Sequence, residues 1–145
     1  MTIQRMDNVG VVVEDLGAAV AFFLDLGLEL EGEAQVGGPD VDRLVGLEDV
    51  RCELAVVRTP DGHGRLELMK FHSPAAPAAE PNAPINTPGL RRIMFAVDDV
   101  EAVLGRLRAQ GADLLGEVVQ YEGGYRLCYV RGPEGIMVAL AEKLG

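Results

Sequence analysis

The sequence is poor in basic residues and in cysteine, and each shortage excludes a class of function. Thirteen Lys and Arg stand against 23 Asp and Glu, for a formal net charge of −10. Because binding to phosphates requires a basic surface, this balance excludes a nucleic-acid-binding protein and a protein of anionic membrane surfaces. The two cysteines, Cys52 and Cys128, form no C-x-x-C pair, which excludes zinc-ribbon and thioredoxin-like sites. Both lie in apolar stretches, so we predict buried free thiols.

Long apolar runs and common catalytic motifs are also missing. No apolar run approaches the roughly 20 residues that cross a membrane, and the N-terminal MTIQRMDNVG lacks the charged-then-apolar layout of a signal peptide. The sequence contains no G-x-S-x-G and no phosphate-cradling glycine loop. We therefore expect a cytoplasmic protein. A length of 145 residues, 48% of them apolar, suits one compact domain.

What the sequence does contain is an internal repeat. The stretch Met6 to Glu33 recurs at Leu90 to Glu117, always 84 positions later. Identical pairs include Val13 with Val97, Asp15 with Asp99, Gly27 with Gly111, and Gly32 with Gly116. A fixed offset over this length indicates two copies of one unit, and residues at equivalent places in two copies tend to converge on one site.

Each copy is predicted to contain a strand, a helix and three further strands, which is typical of the α+β class. In the first copy Asp15 is the predicted N-cap of a helix over 16–26, which ends at Gly27. We expect the strands of this copy at 8–13, 28–34, 52–58 and 65–71. In the second copy we expect a helix at 100–110 and strands at 91–97, 113–119, 126–131 and 136–141. Residues 39–49 follow neither pattern, and one helical turn at 41–45 is an alternative there.

The segment between the copies has a different composition. Residues 73–88 contain five prolines, at positions 74, 77, 81, 84 and 88. Because proline prevents a helix interior and a central strand, we predict an extended linker over the surface.

A set of segments in both copies resembles one known family: MDNVGVVVEDL, FFLDLGLELEG, GRLELMKF, GLRRIMFAVDDV, LRAQGADLLGE and YRLCYVRGPEGIMVALAE. In this order they resemble the vicinal oxygen chelate superfamily, also called the glyoxalase, bleomycin-resistance and extradiol-dioxygenase superfamily. The resemblance implies a single domain, 1–145, of two tandem βαβββ modules at 5–72 and 89–143. It further implies that their mostly antiparallel sheets form a U-shaped cup with the helices outside. Enzymes of the family hold a divalent metal in the cup, while metal-free members bind and sequester drugs, often as homodimers.

The resemblance also places four metal-ligand positions, one in the first and one in the last strand of each module. They fall on Asn8, Glu67, Arg92 and Ala139, and only Glu67 matches the family pattern. Arg92 is always charged and has no lone pair to donate. A dication about 4 Å from it, at an effective dielectric of about 20, meets roughly 8 kcal/mol of repulsion. We therefore expect no metal and no other cofactor. The two histidines, His63 and His72, are not expected to be ligands because their strand positions lie away from Glu67.

Arg92 has two open interpretations once the metal is set aside. It pairs with Glu67 as a structural ion pair, or it anchors a carboxylate, carbonyl or phenol group of a ligand. If Glu67 and Arg92 face into the cup, the alternation of strand side chains adds further candidate ligand-binding residues. Together with Asn8, the set is Arg65, Glu67, Met69, Arg92, Met94, Met137 and, at the rim, Tyr129.

The sequence and the resemblance thus favour a homodimer that binds a small, partly apolar molecule in the cup without a metal. The alternatives are a lyase, isomerase or dioxygenase that uses a metal at Glu67, a metal-free enzyme with Glu67 as general base, and a structural homodimer without catalysis. Fold resemblance alone does not choose among them.

Overall fold

The computed structural model describes residues 2–121 and 123–145. These residues divide into two compact units, one up to Ala78 and one from Ala79 to Gly145. None of the helices in the described residues has the length and apolar character of a membrane-crossing segment.

Unit 1, up to Ala78, is a four-stranded sheet with two helices. Its elements are β1 (Val9–Val12), α1 (Leu16–Leu26), β2 (Glu29–Gly37), α2 (Pro39–Val45), β3 (Arg51–Arg58) and β4 (Arg65–Ser73). The strand order is β1-β4-β3-β2, with β1 parallel to β4 and the other pairs antiparallel. The region 39–49 therefore contains a two-turn helix, longer than the single turn considered from the sequence.

Helix α1 has the predicted bounds, and its local signals explain them. The Asp15 carboxylate accepts a hydrogen bond from the Ala18 amide at 3.0 Å, and Gly27 ends the helix with φ +125°. The helix buries an apolar face that includes Phe22 and Phe23 against the sheet, where Leu68 is fully buried. One face of the sheet is thus covered by α1.

Unit 2, from Ala79, repeats this arrangement. Its elements are β5 (Ile93–Val97), α3 (Val100–Ala109), β6 (Asp113–Leu114), β7 (Val119–Tyr121), β8 (Tyr125–Arg131), a 3₁₀ turn (Pro133–Gly135) and β9 (Met137–Lys143). The strand order is β5-β9-β8-β6, with β5 parallel to β9 and with β7 also paired to β8. Asp99 caps α3 as Asp15 caps α1. The predicted α+β class is confirmed, and each unit has the predicted strand, helix and further strands, with α2 added in unit 1 and one more strand in unit 2.

The single strand expected at 113–119 is wrong in detail, because two short strands, β6 and β7, occupy the region. Leu114 pairs with Val130, whereas Val119 pairs with Leu127. Four residues, 115–118, therefore stand opposite two residues of β8, and the extra two must bulge out of the ladder.

The strand registers confirm which positions of the two units are equivalent. Gly10 pairs with Glu67 across β1 and β4, and Met94 pairs with Ala139 across β5 and β9. Gly10 and Met94 are 84 positions apart, so Glu67 and Ala139 are equivalent, as expected from the sequence. We call the sheet face opposite α1 or α3 the open face of its unit.

Candidate functional site

Glu67 lies at the centre of the open face of unit 1. Its neighbours across the sheet are Gly10 on β1 and Val56 on β3. The side chain is half-buried and forms no hydrogen bond or ion pair with the residues that the structure describes. A half-buried carboxylate without a partner among the described residues is available to a ligand.

Cys52 lies on the same face and is chemically quiet. Burial, and then the charge of Glu67, raise the pKa of the Cys52 thiol. Burial likewise raises the pKa of Cys128. Both cysteines are free and buried, as predicted, and a protonated buried thiol is a poor nucleophile.

Met69 covers β1 beside Glu67. A side chain on Gly10 would bring its Cβ to 2.8 Å from the terminal methyl of Met69, so Met69 lies across the space that this glycine leaves open. Asn8, by contrast, precedes β1 and is exposed, and its side-chain amide donates to the Asp7 carboxylate at 3.3 Å. The structure thus places Met69 next to Glu67, while Asn8 contacts a neighbour in sequence.

Arg65 belongs to a charged network at one end of this face. Its Nε donates to both oxygens of Glu31, at 3.1 and 3.0 Å, and Arg58 approaches Glu31 at 3.4 Å and Glu29 at 3.5 Å. The hydrogen bond from Arg65 holds the pKa of the Glu31 carboxyl below its usual value, and the same bond raises the pKa of Arg65. Glu31 was not expected at the site, because it sits in a bulge between Leu30 and Gly32 that the alternating sequence pattern does not reveal.

Arg92, Met94 and Tyr129 meet on the open face of unit 2. The guanidinium carbon of Arg92 lies 5.4 Å from the centre of the Tyr129 ring, a cation–π distance. Ala139 separates Met94 from Tyr129 in the register and is fully buried. Within the described part of unit 2, no carboxylate lies within ion-pair distance of Arg92. The pairing of Arg92 with Glu67, which belongs to the other unit, stays one of the two open interpretations of Arg92.

Arg131 attaches part of the proline-rich linker to unit 2. Its two terminal nitrogens donate to the carbonyl oxygens of Pro81 and Ala83, each at 2.9 Å. Any side chain on Gly135, which has φ +82°, would collide with the Pro81 carbonyl. We call residues 81–85 the strap. The sequence predicted an extended surface segment here but gave no sign that Arg131 anchors it.

A cleft of about 520 Å³ lies beside the strap on the open face of unit 2. The lining residues used below are Ile85, Leu115, Val119, Leu127, Tyr129 and Arg131. Of the predicted ligand-binding residues in unit 2, Tyr129 lines this cleft, Arg92 contacts Tyr129, and Met137 pairs with Arg131 across the sheet.

A second cleft, of about 420 Å³, lies in unit 1 beside α1. It includes Val20, Glu33 and Glu53 and is therefore on the helix-covered side of the sheet. His72 contacts Glu53 at 2.7 Å, and the His63 amide donates to Asp61 in the turn. The His72 imidazole thus has a local partner, and His63 lies in the turn between β3 and β4.

The residues at the four metal-ligand positions do not fit a divalent metal. They offer one amide already hydrogen-bonded to Asp7, one carboxylate, one guanidinium and one methyl group. Among residues 2–121 and 123–145, no group of three His, Cys, Asp or Glu side chains is placed to hold a metal ion. A guanidinium has no lone pair for a metal, and a methyl group has no donor atom.

Comparisons with known proteins agree with this architecture. A family model described as the Glyoxalase/Bleomycin resistance protein/Dioxygenase superfamily matches residues 7–129. A glyoxalase family protein from Bacillus cereus has a crystal structure that superposes with a TM-score of 0.96, at 50% identity over 100% of this chain and 97% of that chain. The uncharacterized protein YwbC of Bacillus subtilis (strain 168) is 27% identical over 135 residues, 91% of this chain and 92% of its own. TnmS3, an antibiotic binding protein from Streptomyces sp. CB03234, is 21% identical with a TM-score of 0.60, over 99% of this chain and 98% of its own, a likeness of fold alone.

Proposed function

This chain belongs to the glyoxalase/bleomycin resistance protein/dioxygenase superfamily, and on that premise we propose that it binds a small, partly apolar molecule on its open faces without a metal ion. The observation that carries the proposal is the apolar character of these faces. Val12 on β1 is 55% exposed and Met94 on β5 is 44% exposed, and both lie on the open face of an edge strand.

Covering such side chains with an apolar molecule is favourable. Each square ångström of apolar surface removed from water contributes roughly 25 cal/mol. Polar groups that fix the orientation of a ligand stand among the apolar side chains, namely the Glu67 carboxylate and the Arg92 guanidinium. An apolar wall with a few polar groups is the usual composition of a small-molecule site.

The residues at the four metal-ligand positions support the metal-free part of the proposal, because they offer few atoms that can bind a metal. Within the fold, TnmS3 is described as an antibiotic binding protein. That likeness concerns the fold, so the support comes from Asn8, Arg92 and Ala139 in this chain. The homodimer and the cytoplasmic location expected from the sequence remain predictions.

The uncharged fluorescent probe N-phenyl-1-naphthylamine tests the proposal. We expect the wild-type protein to bind it equally well with and without EDTA. Met94→Asp should lower the affinity about tenfold, because it places a charge on the apolar face. Leu44→Asp is the matched control, since Leu44 is 83% exposed on α2, and it should leave the affinity unchanged. An affinity lost with EDTA, or no binding at all, would contradict the proposal.

A second candidate is catalysis at Glu67, favoured by its half-buried carboxylate without a partner among the described residues. In this case Glu67 serves as a general base or holds a metal with an unusual set of ligands. Elemental analysis of protein purified without chelators distinguishes the two roles of Glu67, general base and metal ligand. Stoichiometric Fe, Mn, Ni or Zn that disappears in Glu67→Gln would favour metal chemistry and overturn the metal-free proposal.

A further inference from the structure

We infer that the cleft beside the strap binds an apolar organic anion, a ring system that carries a carboxylate or a sulfonate, with Arg131 and Arg92 supplying the positive charge. This inference rests on the proposed function and deepens it, since it names the place and the chemical class of the ligand.

The charge of the cleft supports an anion. Neither Arg131 nor Arg92 has a carboxylate within ion-pair distance among the described residues of unit 2. Arg131 pairs with Met137 across β8 and β9, and Arg92 directly precedes β5 on the other side of β9. With strands about 4.8 Å apart, their Cα atoms lie about 10 Å from each other on one face. Two uncompensated guanidinium groups at this spacing attract an anion.

The acidic neighbours of Arg131 leave its charge uncompensated. Asp113 is its partner in the register of β6 and β8 but forms no ion pair with it. Glu117 also lines the cleft, and it is exposed at the rim. Arg58 of unit 1 is equivalent to Arg131, because its register partner Glu29 lies 84 positions before Asp113. Arg58 has Glu29 and Glu31 as ion-pair partners, whereas the residue 84 positions after Glu31 is the uncharged Leu115.

Arg131 retains free donors while it anchors the strap. A guanidinium has five N–H groups, and two of them are directed to the carbonyls of Pro81 and Ala83. The remaining three are available to a carboxylate or sulfonate. Because the strap already fixes the side chain, binding costs little further rotamer entropy.

The walls of the cleft fit the apolar part of the ligand. Ile85 from the strap, Leu115 and Val119 beside the bulge, and Leu127 and Tyr129 on β8 surround a volume of about 520 Å³. This volume lies within the usual range of about 300–1,000 Å³ for sites that enclose drug-sized molecules.

The test compares two probes with the same rings, 8-anilinonaphthalene-1-sulfonate and the uncharged N-phenyl-1-naphthylamine. We expect the sulfonate to bind about tenfold more tightly, because charge-assisted hydrogen bonds add to ring burial. Arg92→Gln, which leaves the strap anchored, should remove a large part of this difference, and Glu117→Gln should increase it. Arg43→Gln on exposed α2 changes the net charge equally and should alter neither affinity.

Amide chemical shifts of ¹⁵N-labelled protein locate the bound sulfonate. We expect changes at residues 84–85, 115–119 and 127–131. Changes confined to unit 1, or equal affinities for the two probes, would overturn the inference and leave the proposed function standing. If neither probe binds, both are overturned.

Discussion

The open faces of the two units share a backbone but differ in how they use arginine. In unit 1, Arg58 and Arg65 are neutralised by Glu29 and Glu31. In unit 2, Arg131 at the place of Arg58 instead holds the strap by two carbonyl groups. Duplication has thus kept the strand registers and changed the partners. In unit 1 the arginines belong to an internal network of ion pairs, whereas in unit 2 the positive charge of Arg131 is available to a ligand.

The largest expected effect that tests the difference between the two units comes from substituting the glycines of their equivalent turns, Gly62 and Gly135. Both have positive φ, but a side chain on Gly62 has no atom within 4 Å, while one on Gly135 meets the Pro81 carbonyl. Gly62→Ala should cost about 1 kcal/mol of unfolding free energy from backbone strain. Gly135→Ala should cost about 3 kcal/mol, because the strap must also move. Urea unfolding measures both, and equal costs would show that the strap is not held against this turn.

A second experiment makes unit 2 resemble the metal-binding pattern of the family. Arg92→His with Ala139→Glu introduces two donors at the ligand positions of that unit. Free zinc at 100 times the dissociation constant should then stabilise the variant by about 2.7 kcal/mol, and zinc should not stabilise the wild type.

The matched control for the zinc experiment is Arg92→Gln with Ala139→Gln, which has similar shapes but weak donors. Urea unfolding with and without zinc gives the readout. If the donor variant fails to respond to zinc, the assignment of positions 92 and 139 as ligand positions is wrong.

The smallest expected effect concerns the network of unit 1. The hydrogen bond from Arg65 lowers the pKa of the Glu31 carboxyl, so the ionised form contributes stability above the unfolded pKa of about 4.3. This contribution is lost as the pH falls through the lower folded value. Glu31→Gln should therefore reduce stability modestly at pH 7, and the difference from wild type should shrink on acidification. Glu48→Gln, a matched change on an exposed loop, should show no such trend.

Local sequence signals predicted the elements whose causes are local. Asp15 and Gly27 defined both ends of α1, and the offset of 84 residues aligned Gly10 with Met94, whose register partners are Glu67 and Ala139. These predictions succeeded because a cap, a terminal glycine and a repeat are readable within a short window.

The features that the sequence did not predict depend on pairing across the sheet. Two irregularities are visible only once the strand registers are known. One is the bulge that directs Glu31 to Arg65, and the other is the bulge at residues 115–118 opposite β8. The strap is held by Arg131, which lies about 50 positions further along the chain. Its acceptors are main-chain carbonyls, which every residue carries, so no residue type marks them.

That choice of acceptors has an evolutionary consequence. Since Arg131 holds the strap through carbonyl oxygens, the attachment does not depend on which side chains occupy positions 81–85. Ile85 can therefore be replaced without releasing the segment, and each replacement reshapes the wall of the cleft. A library randomised at position 85 should yield folded proteins with different ligand preferences. Ligand preference can then change at this position without loss of the folded structure.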